Sequence, residues 1–270
     1  MQDAESGAMA AAAAAAQDDD LLTYELFVKM SCESCAKTVR GALDARAWEV
    51  VQIDVPTDLV VVRSAAPAKA VVEEIESVGF EAAIIGTSAG LASDGSITVP
   101  DTVGSFEESV SVIGEFRGEA YGHGNVVGVV RIIQRSNNVA ALQVSLGGLK
   151  AGASYSVAIH CFGDPRPGKQ GGVFEGADCS IANAPTSLEA AKDVPGFLCS
   201  AIANESGEID ITKAVRGLRV WEAIGRGMVV HADDDSWTSL ATCVVARSAV
   251  VGANHKKVCT CDGTIIWEAK

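Results

Sequence analysis

The sequence predicts a small α+β domain with a βαββαβ order, then an all-β domain, then a short irregular tail. Apolar residues alternate between strand and helix spacing over residues 22–86. Residues 106–250 contain short Val- and Ile-rich stretches separated by Gly and Asn turns, which are typical of a sandwich or barrel. The last stretch, 251–270, has neither pattern, and a length of 270 residues fits two domains with an appendage.

The first domain is justified element by element. Alternating apolar residues predict the strands, and Ala36, Val39 and Leu43 have the spacing of one helix face. Pro67 suits the first position of a second helix. The predicted order is strand 23–30, helix 35–45, strands 48–55 and 58–64, a helix from Pro67, and strand 80–86. This is the split βαβ, or ferredoxin-like, arrangement.

Two cysteines in the stretch KMSCESCAKT lie where the first strand meets the first helix. The helix N-terminus favours the thiolate form of Cys32 and Cys35 and lowers their pKa. Soft thiolates suit Cu(I) and Zn(II), but two ligands alone satisfy a linear Cu(I) ion, whereas structural zinc takes four. We therefore expect Cu(I) here and no zinc, with Met30 turned inward to brace the loop.

The CxxC spacing alone is also found in redox pairs and in buried structural cysteines. Here, M-x-C-x-x-C joins a strand to a helix in a βαββαβ unit. This combination resembles the heavy-metal-associated domain of copper chaperones and copper-pumping ATPases, over residues 22–86. The resemblance implies metal binding by Cys32 and Cys35.

The segments around this domain and the overall charge narrow the function classes. Residues 1–21 are Ala-rich and contain no Lys or Arg, so we expect a disordered leader rather than a targeting signal. Residues 87–105 are rich in Gly, Ser and Thr and predict a linker. The absence of an apolar run of roughly 18 residues favours a cytoplasmic protein. The net charge of −14 argues against nucleic acid as a partner.

Three stretches of the all-β region carry a second resemblance. They are VAIHCFGD at 157–164, LRVWEAIGRGMVVHADDD at 218–235 and VVARSAV at 244–250. Together they resemble Cu/Zn superoxide dismutase, which implies a Greek-key barrel over residues 106–250.

The metal cage of that family is largely missing from the sequence. Only the second histidine of the family's H-x-H pair, His160, is present, and His231 matches another copper ligand. No histidine lies between residues 161 and 230, Phe197 stands at the zinc aspartate position and Ser239 at the guiding arginine position. Dismutase activity is therefore not expected. His160 and His231 are either buried, hydrogen-bonded histidines or a vestigial metal site.

The surface through which dismutase subunits pair is better matched than the metal cage. A self-complementary surface that keeps its shape can accept a true dismutase subunit in place of its twin, giving a heterodimer, and it also allows a homodimer. The resemblance implies that this surface contains Phe162, Gly163, Asp164, Ile224, Gly225, Arg226, Ala246, Arg247 and Ser248.

The family's intrasubunit disulfide is matched poorly. Thr242 occupies the place of the strand cysteine and Cys243 follows it, and a shift of one residue turns a side chain to the other face of a sheet. Cys179 is the nearest loop candidate. The alternatives are a Cys179–Cys243 bond and buried free thiols, while Cys161 and Cys199 are expected to be packing residues.

The tail contains a second thiol pair, Cys259 and Cys261, with a single residue between them. In an extended chain their side chains diverge, so an internal disulfide would be strained, and Lys256 and Lys257 should lower the thiol pKa. His255 is a solvated side chain or an added ligand. After a dismutase-like barrel, VCTCDGTIIWE resembles the third segment of copper chaperones for superoxide dismutase.

All three parts resemble that chaperone family in the same order, over residues 22–268. The resemblance implies that Cys32 and Cys35 take Cu(I) from a membrane importer or a small-molecule pool, and that the barrel docks on immature dismutase. Cys259 and Cys261 then transfer copper and promote a client disulfide through a mixed disulfide, with oxygen or superoxide as oxidant. Two alternatives remain: a copper buffer or sensor without a client, and a dismutase enzyme.

Overall fold

The computed structural model of the chain describes residues 21–89, 110–136, 139–166, 168–176 and 186–252. The predicted leader up to residue 20, most of the predicted linker, Cys179 and the two tail cysteines lie outside these residues. Contacts divide the chain into two compact units. Of the described residues, the first unit contains 21–89 and 249–252, and the second contains 110–248.

The first unit has the predicted βαββαβ order and is ferredoxin-like. Its sheet has the order β2-β3-β1-β4, with antiparallel neighbours. Its elements are β1 (Leu22–Val28), α1 (Glu33–Ala45), β2 (Glu49–Asp54), β3 (Leu59–Ser64), α2 (Ala68–Ser77) and β4 (Ala82–Ser88).

The apolar faces anticipated for this unit form its core. The buried residues of α1 are Ala36, Val39 and Leu43, at the helical spacing that predicted the element. Pro67 is the N-cap of α2 rather than its first residue, so the helix begins one residue later than predicted. Alternating apolar residues are typical of a strand with one exposed face, but all seven residues of the central strand β1 are buried.

The second unit is the predicted all-β domain. Its strands are β5 (Ser111–Arg117), β6 (Val127–Ser136), β7 (Val139–Gly147), β8 (Ser154–His160), β9 (Phe197–Ile202), β10 (Ile209–Arg216), β11 (Gly227–Ala232), β12 (Ser239–Val244) and β13 (Ala246–Ser248). Short helical segments interrupt them: α3 (Leu188–Ala191) and two 3-10 turns, Gly118–Tyr121 and Val220–Ala223.

Two antiparallel sheets enclose the core of this unit. Their orders are β10-β7-β6-β5-β13 and β12-β11-β8-β9. β10 pairs with β7, and the chain then crosses to the other sheet, where β11 pairs with β8. These crossings between the sheets give the Greek-key arrangement expected of a dismutase-like barrel. Inward residues such as Val130, Leu142, Val157 and Val230 come from both sheets and form one aliphatic cluster. In the described part of the chain, no helix is long and apolar enough to cross a bilayer.

Candidate copper site and docking face

The CxxC loop lies between β1 and α1, as predicted. Cys32 is the N-cap of α1, with an extended backbone, and its carbonyl accepts the amide hydrogen bonds of Cys35 and Ala36 at 3.0 and 3.3 Å. Cys35 therefore lies in the first helical turn. This placement puts both sulfurs at the N-terminal end of the helix, where its dipole favours negative charge.

The two sulfurs form a close pair at the surface, with Cys32 exposed and Cys35 partly buried. The Sγ atoms of Cys32 and Cys35 are 3.4 Å apart, and the hydroxyl of Ser34 lies 3.0 Å from the Sγ of Cys32. The Ser34 hydrogen bond is the largest cause that lowers the Cys32 pKa from 9.0 to about 6, followed by hydrogen bonds from Cys35. At neutral pH Cys32 is thus a thiolate, the form that binds a soft metal ion.

Two buried contacts hold the loop in place. Met30 is 6% exposed, in agreement with its predicted inward position, and its amide donates to the Oδ1 of Asp58 at 2.8 Å. The amide of Val28 donates to the Asp58 carbonyl at 2.9 Å. Asp58 adopts a left-handed backbone with φ of +56°, which an aspartate tolerates better than most residues. The CxxC loop, which is the candidate copper loop, is therefore held in position by hydrogen bonds to the turn before β3.

The donor set favours a low-coordinate metal ion. Among the described residues, no cluster of three or more His, Cys, Asp or Glu side chains is arranged to hold a metal. Two sulfurs on opposite sides of one ion would lie roughly 4.6 Å apart, with bonds of about 2.3 Å each. A small outward rotation of the exposed Cys32 side chain would open the 3.4 Å gap far enough.

The structure brings His160 and His231 together inside the barrel. Their Nε2 atoms are 3.0 Å apart, and each residue is 5% exposed. The Nδ1 of His160 lies 2.8 Å from the Gly171 carbonyl, and that of His231 lies 3.1 Å from the Trp237 carbonyl. The ring of Trp237 stacks on His231 with centroids 4.0 Å apart. Carbonyls, an indole and a second imidazole thus surround both rings.

This histidine pair is short of one proton. Its three contacts require three N–H groups, whereas two neutral imidazoles supply two. An added proton would complete the set, but burial opposes the charge and lowers the pKa of His160, and it lowers the pKa of His231 to about 4. The pair is therefore neutral at physiological pH. In the part of the chain that the structure describes, no further His, Cys, Asp or Glu side chain completes a metal site with this pair.

The three segments predicted to dock a partner lie side by side. A Cβ on Gly163 would stand 2.0 Å from the Gly225 carbonyl oxygen, so only glycine fits there. The Gly225 amide donates to the Val245 carbonyl, and the Val245 amide donates to the Arg226 carbonyl, both at 2.9 Å. Val245 and Val244, which stand directly before the third predicted segment, 246–248, were not among the predicted residues, and they contact the other two segments. Residues 162–164, 224–226 and 244–248 therefore form one continuous face.

Apolar side chains are exposed on this face. Phe162, Ile224 and Val244 are 38%, 40% and 42% exposed, although large apolar residues elsewhere in the barrel are mostly buried. Arg226 turns away, because its guanidinium donates to the Cys161 carbonyl at 2.9 Å and lies 4.0 Å from the centre of the Phe174 ring. Arg226 thus supports the face from beneath. Asp164 is paired with Arg166, whose hydrogen bond lowers the Asp164 pKa to about 2.

The cysteines of the barrel agree with some expectations and differ from others. Cys243 carries a free, buried thiol, which excludes the Cys179–Cys243 disulfide and confirms the alternative of a buried free thiol at Cys243. The sulfur faces the barrel interior, where Gly114 leaves room for it, and burial raises its pKa to about 12. Cys161, expected to be a packing residue, is instead disulfide-bonded, and its partner lies outside the described residues. Cys199 is buried and free as expected, and burial raises its pKa to about 11.

Known proteins resemble both parts of the chain. Residues 25–81 match the heavy-metal-associated domain family. The Arabidopsis thaliana protein named "Copper chaperone for superoxide dismutase, chloroplastic/cytosolic" is 32% identical over 252 residues, which is 92% of this chain and 70% of that protein. The chain belongs to the family of copper chaperones for superoxide dismutase. A chloroplastic chaperone of this name from rice is 29% identical over 93% of this chain and 72% of its own length, and the human chaperone is 26% identical over 93% and 89%.

Membership of this chaperone family confirms the resemblance drawn from the three segments, and copper binding through the heavy-metal-associated domain agrees with it. Sequence reasoning missed two supports of the copper loop, Ser34 and Asp58. Ser34 stands inside the CxxC spacing, so its hydroxyl was a readable signal. The turn that carries Asp58 lies 26 residues beyond Cys32 along the chain, so no local pattern could link them.

Proposed function

We propose that this chaperone binds Cu(I) at Cys32 and Cys35 and delivers it to Cu/Zn superoxide dismutase. The exposed dithiol, with a Cys32 pKa of about 6, is the observation that carries the proposal. Two sulfur ligands at the surface can hold a monovalent ion and still be replaced one at a time by an incoming thiolate. Copper is then never released as a free ion. Zinc is not part of this cargo, because two sulfurs do not make a four-coordinate site.

The barrel is proposed to dock on immature dismutase as a transient heterodimer. The continuous face of segments 162–164, 224–226 and 244–248 supports this, since its exposed Phe162, Ile224 and Val244 offer an apolar centre. The same face would allow a homodimer in the absence of the client. The docking step requires no metal in the barrel.

The tail cysteines are proposed to act on the client itself. Cys259 or Cys261 forms a mixed disulfide with a client thiol, and the second client thiol then displaces the tail sulfur and closes the client disulfide. Closing it removes two electrons and two protons from the client dithiol. One dioxygen molecule accepts both electrons and both protons and becomes hydrogen peroxide. With superoxide as oxidant, two radicals are needed, each of which accepts one electron, and two further protons come from solvent. We further propose that the copper comes from a membrane importer or a small-molecule pool, and that delivery to the client occurs in the cytoplasm.

The direct test is to incubate the Cu(I)-loaded full chain with reduced, metal-free dismutase in the presence of oxygen. Dismutase activity and the client disulfide should both appear. The double variant C259S/C261S should keep Cu(I) binding but lose both deliveries, while Cys199→Ser is the control for a thiol outside the transfer path. Undiminished delivery by C259S/C261S would contradict the role of the tail, and a copper buffer would show no delivery with any variant.

A further inference from the structure

The chain re-enters the first unit directly after the last strand of the barrel. By its contacts, segment 249–252 groups with residues 21–89, whereas the sequence assigned 249 and 250 to the barrel and 251 onward to a separate tail. These four residues stand between the barrel and the stretch that contains Cys259 and Cys261. Their position determines where the thiol tail starts.

The segment lies along the free edge of the copper-binding domain. β4 is an edge strand of that sheet. The amide of Thr87 in β4 donates to the Ala249 carbonyl at 3.2 Å, and the amide of Val251 donates to the hydroxyl of Ser88 at 3.0 Å. An edge strand presents amide and carbonyl groups that no neighbouring strand uses, and segment 249–252 bonds to this edge without forming a further strand.

A buried carboxylate holds the end of this segment. Glu25 in β1 is 7% exposed, and its Oε2 accepts the amide of Gly252 at 2.7 Å. Opposite it in the sheet is Gly86, where a Cβ would stand 2.8 Å from both the Val250 carbonyl oxygen and the same Glu25 oxygen. Because Gly86 has no side chain, a cleft remains at this position, and the segment fits into it. A hydrogen bond to a charged acceptor is stronger than one between neutral groups.

The contact point is within reach of the copper loop. Cys32 lies seven positions after Glu25, and Cys259 lies seven positions after Gly252. Seven extended residues span at most about 25 Å. A tail that starts at Glu25 is therefore long enough for its first cysteine to reach the loop that contains Cys32.

We propose that segment 249–252 is a docked strap that fixes the root of the thiol tail to the copper-binding domain, with Glu25 as a positioning residue. This inference rests on the proposed function and deepens it. The strap raises the effective concentration of the tail thiols near Cys32 and Cys35, so Cu(I) passes within one chain before it meets the client. Each new bond from copper to a tail sulfur replaces one to a loop sulfur, and no electron is transferred.

Amide hydrogen exchange of the full chain tests the strap. In Glu25→Ala the exchange at Gly252 should become at least about tenfold faster, as expected for loss of a hydrogen bond to a charged group. Glu49→Ala, which removes a carboxylate from strand β2, is the matched control and should leave Gly252 unchanged. The amide of Leu26 in β1 reports whether the domain is folded. Equal exchange at Gly252 in the wild type and in Glu25→Ala would overturn the strap.

A glycine pair provides a second test that leaves the carboxylate in place. Gly86→Ala puts a methyl group into the cleft, whereas Gly41→Ala adds one where nothing lies within 4 Å. Exchange at Val251 and Gly252 should rise several-fold in the first variant and stay unchanged in the second. An unaffected strap in Gly86→Ala would show that the cleft does not hold the segment.

Disulfide trapping tests the consequence for the tail. In a C35S/C261S background, oxidised glutathione should join Cys32 to Cys259 within one chain, and adding Glu25→Ala should slow this bond several-fold. An unchanged rate would overturn the positioning role, even with the proposed function intact. Failure of the proposed function has a separate readout, since the unmodified Cu(I)-loaded chain would then deliver no copper to metal-free dismutase.

Discussion

Removing the hydroxyl of Ser34 tests the chemistry of the copper loop. With a pKa of about 6, Cys32 is roughly 90% thiolate at pH 7, whereas a thiol at 9.0 would be about 1% thiolate. The nucleophilicity of a thiolate falls as its pKa falls. Lowering the pKa by three units therefore reduces the reaction rate of each thiolate by a factor of about 16 to 32. The net gain in alkylation rate at pH 7 is therefore only about three- to sixfold. The pH midpoint is the sharper observable.

The assay is alkylation by iodoacetamide, followed at Cys32 by peptide mass spectrometry from pH 4 to pH 10. The wild-type rate should have its midpoint near pH 6, and Ser34→Ala should move that midpoint upward toward the ordinary thiol value. Cu(I) affinity should follow the same curve and weaken as protons compete below the midpoint. Ser77→Ala, which removes an exposed hydroxyl from α2, is the control. Identical midpoints in wild type and Ser34→Ala would refute the reasoning.

Three further predictions concern the docking face, the loop and the histidine pair. Phe162→Glu or Val244→Glu should weaken binding to metal-free dismutase at least about tenfold in native mass spectrometry, while Ile202→Glu, at an exposed site outside the three docking segments, should not. Equal losses in all three variants would argue against the face. Asp58→Ala should speed amide exchange at the loop methionine about fivefold, and Asp58→Asn, which keeps an acceptor, should do so less. Because the His231 pKa is lowered from 6.5 to about 4, the unfolded chain binds more protons below pH 6.5. The contribution of His231 to stability should therefore be complete above that pH and fall by about 2–3 kcal/mol between pH 6.5 and 4. An NMR-measured His231 pKa at or above 6.5 would show instead that the pair takes up its third proton.

The architecture was predictable because local patterns encode it. The helical spacing of Ala36, Val39 and Leu43 survives in the structure as the buried face of α1. Cys32 and Cys35 fall where a strand gives way to a helix, so element order alone located the copper loop. The segments of the predicted docking surface came from the resemblance rather than from any local signal, and their role in docking stays a prediction.

Contacts between distant parts of the chain were not predictable in this way. Alternation along β1 suggested an open face at Glu25, yet that carboxylate is buried because the strap returns to it from more than two hundred residues away. Gly86 resembled the end of a strand and is part of a cleft. Cys161 was expected to be a packing residue and is disulfide-bonded instead, because thiol pairing depends on loop geometry that spacing does not fix.

The interior thiols have a consequence for oxidative stress. With pKa values of about 11 and 12, Cys199 and Cys243 hold their protons and lie out of reach of peroxide, so they neither oxidise readily nor attract a soft metal. Peroxide damage should then fall first on the exposed Cys32, sparing the barrel's fold. An oxidised molecule would remain folded and could still bind a client without carrying copper. It would therefore act as a competitive inhibitor of client maturation.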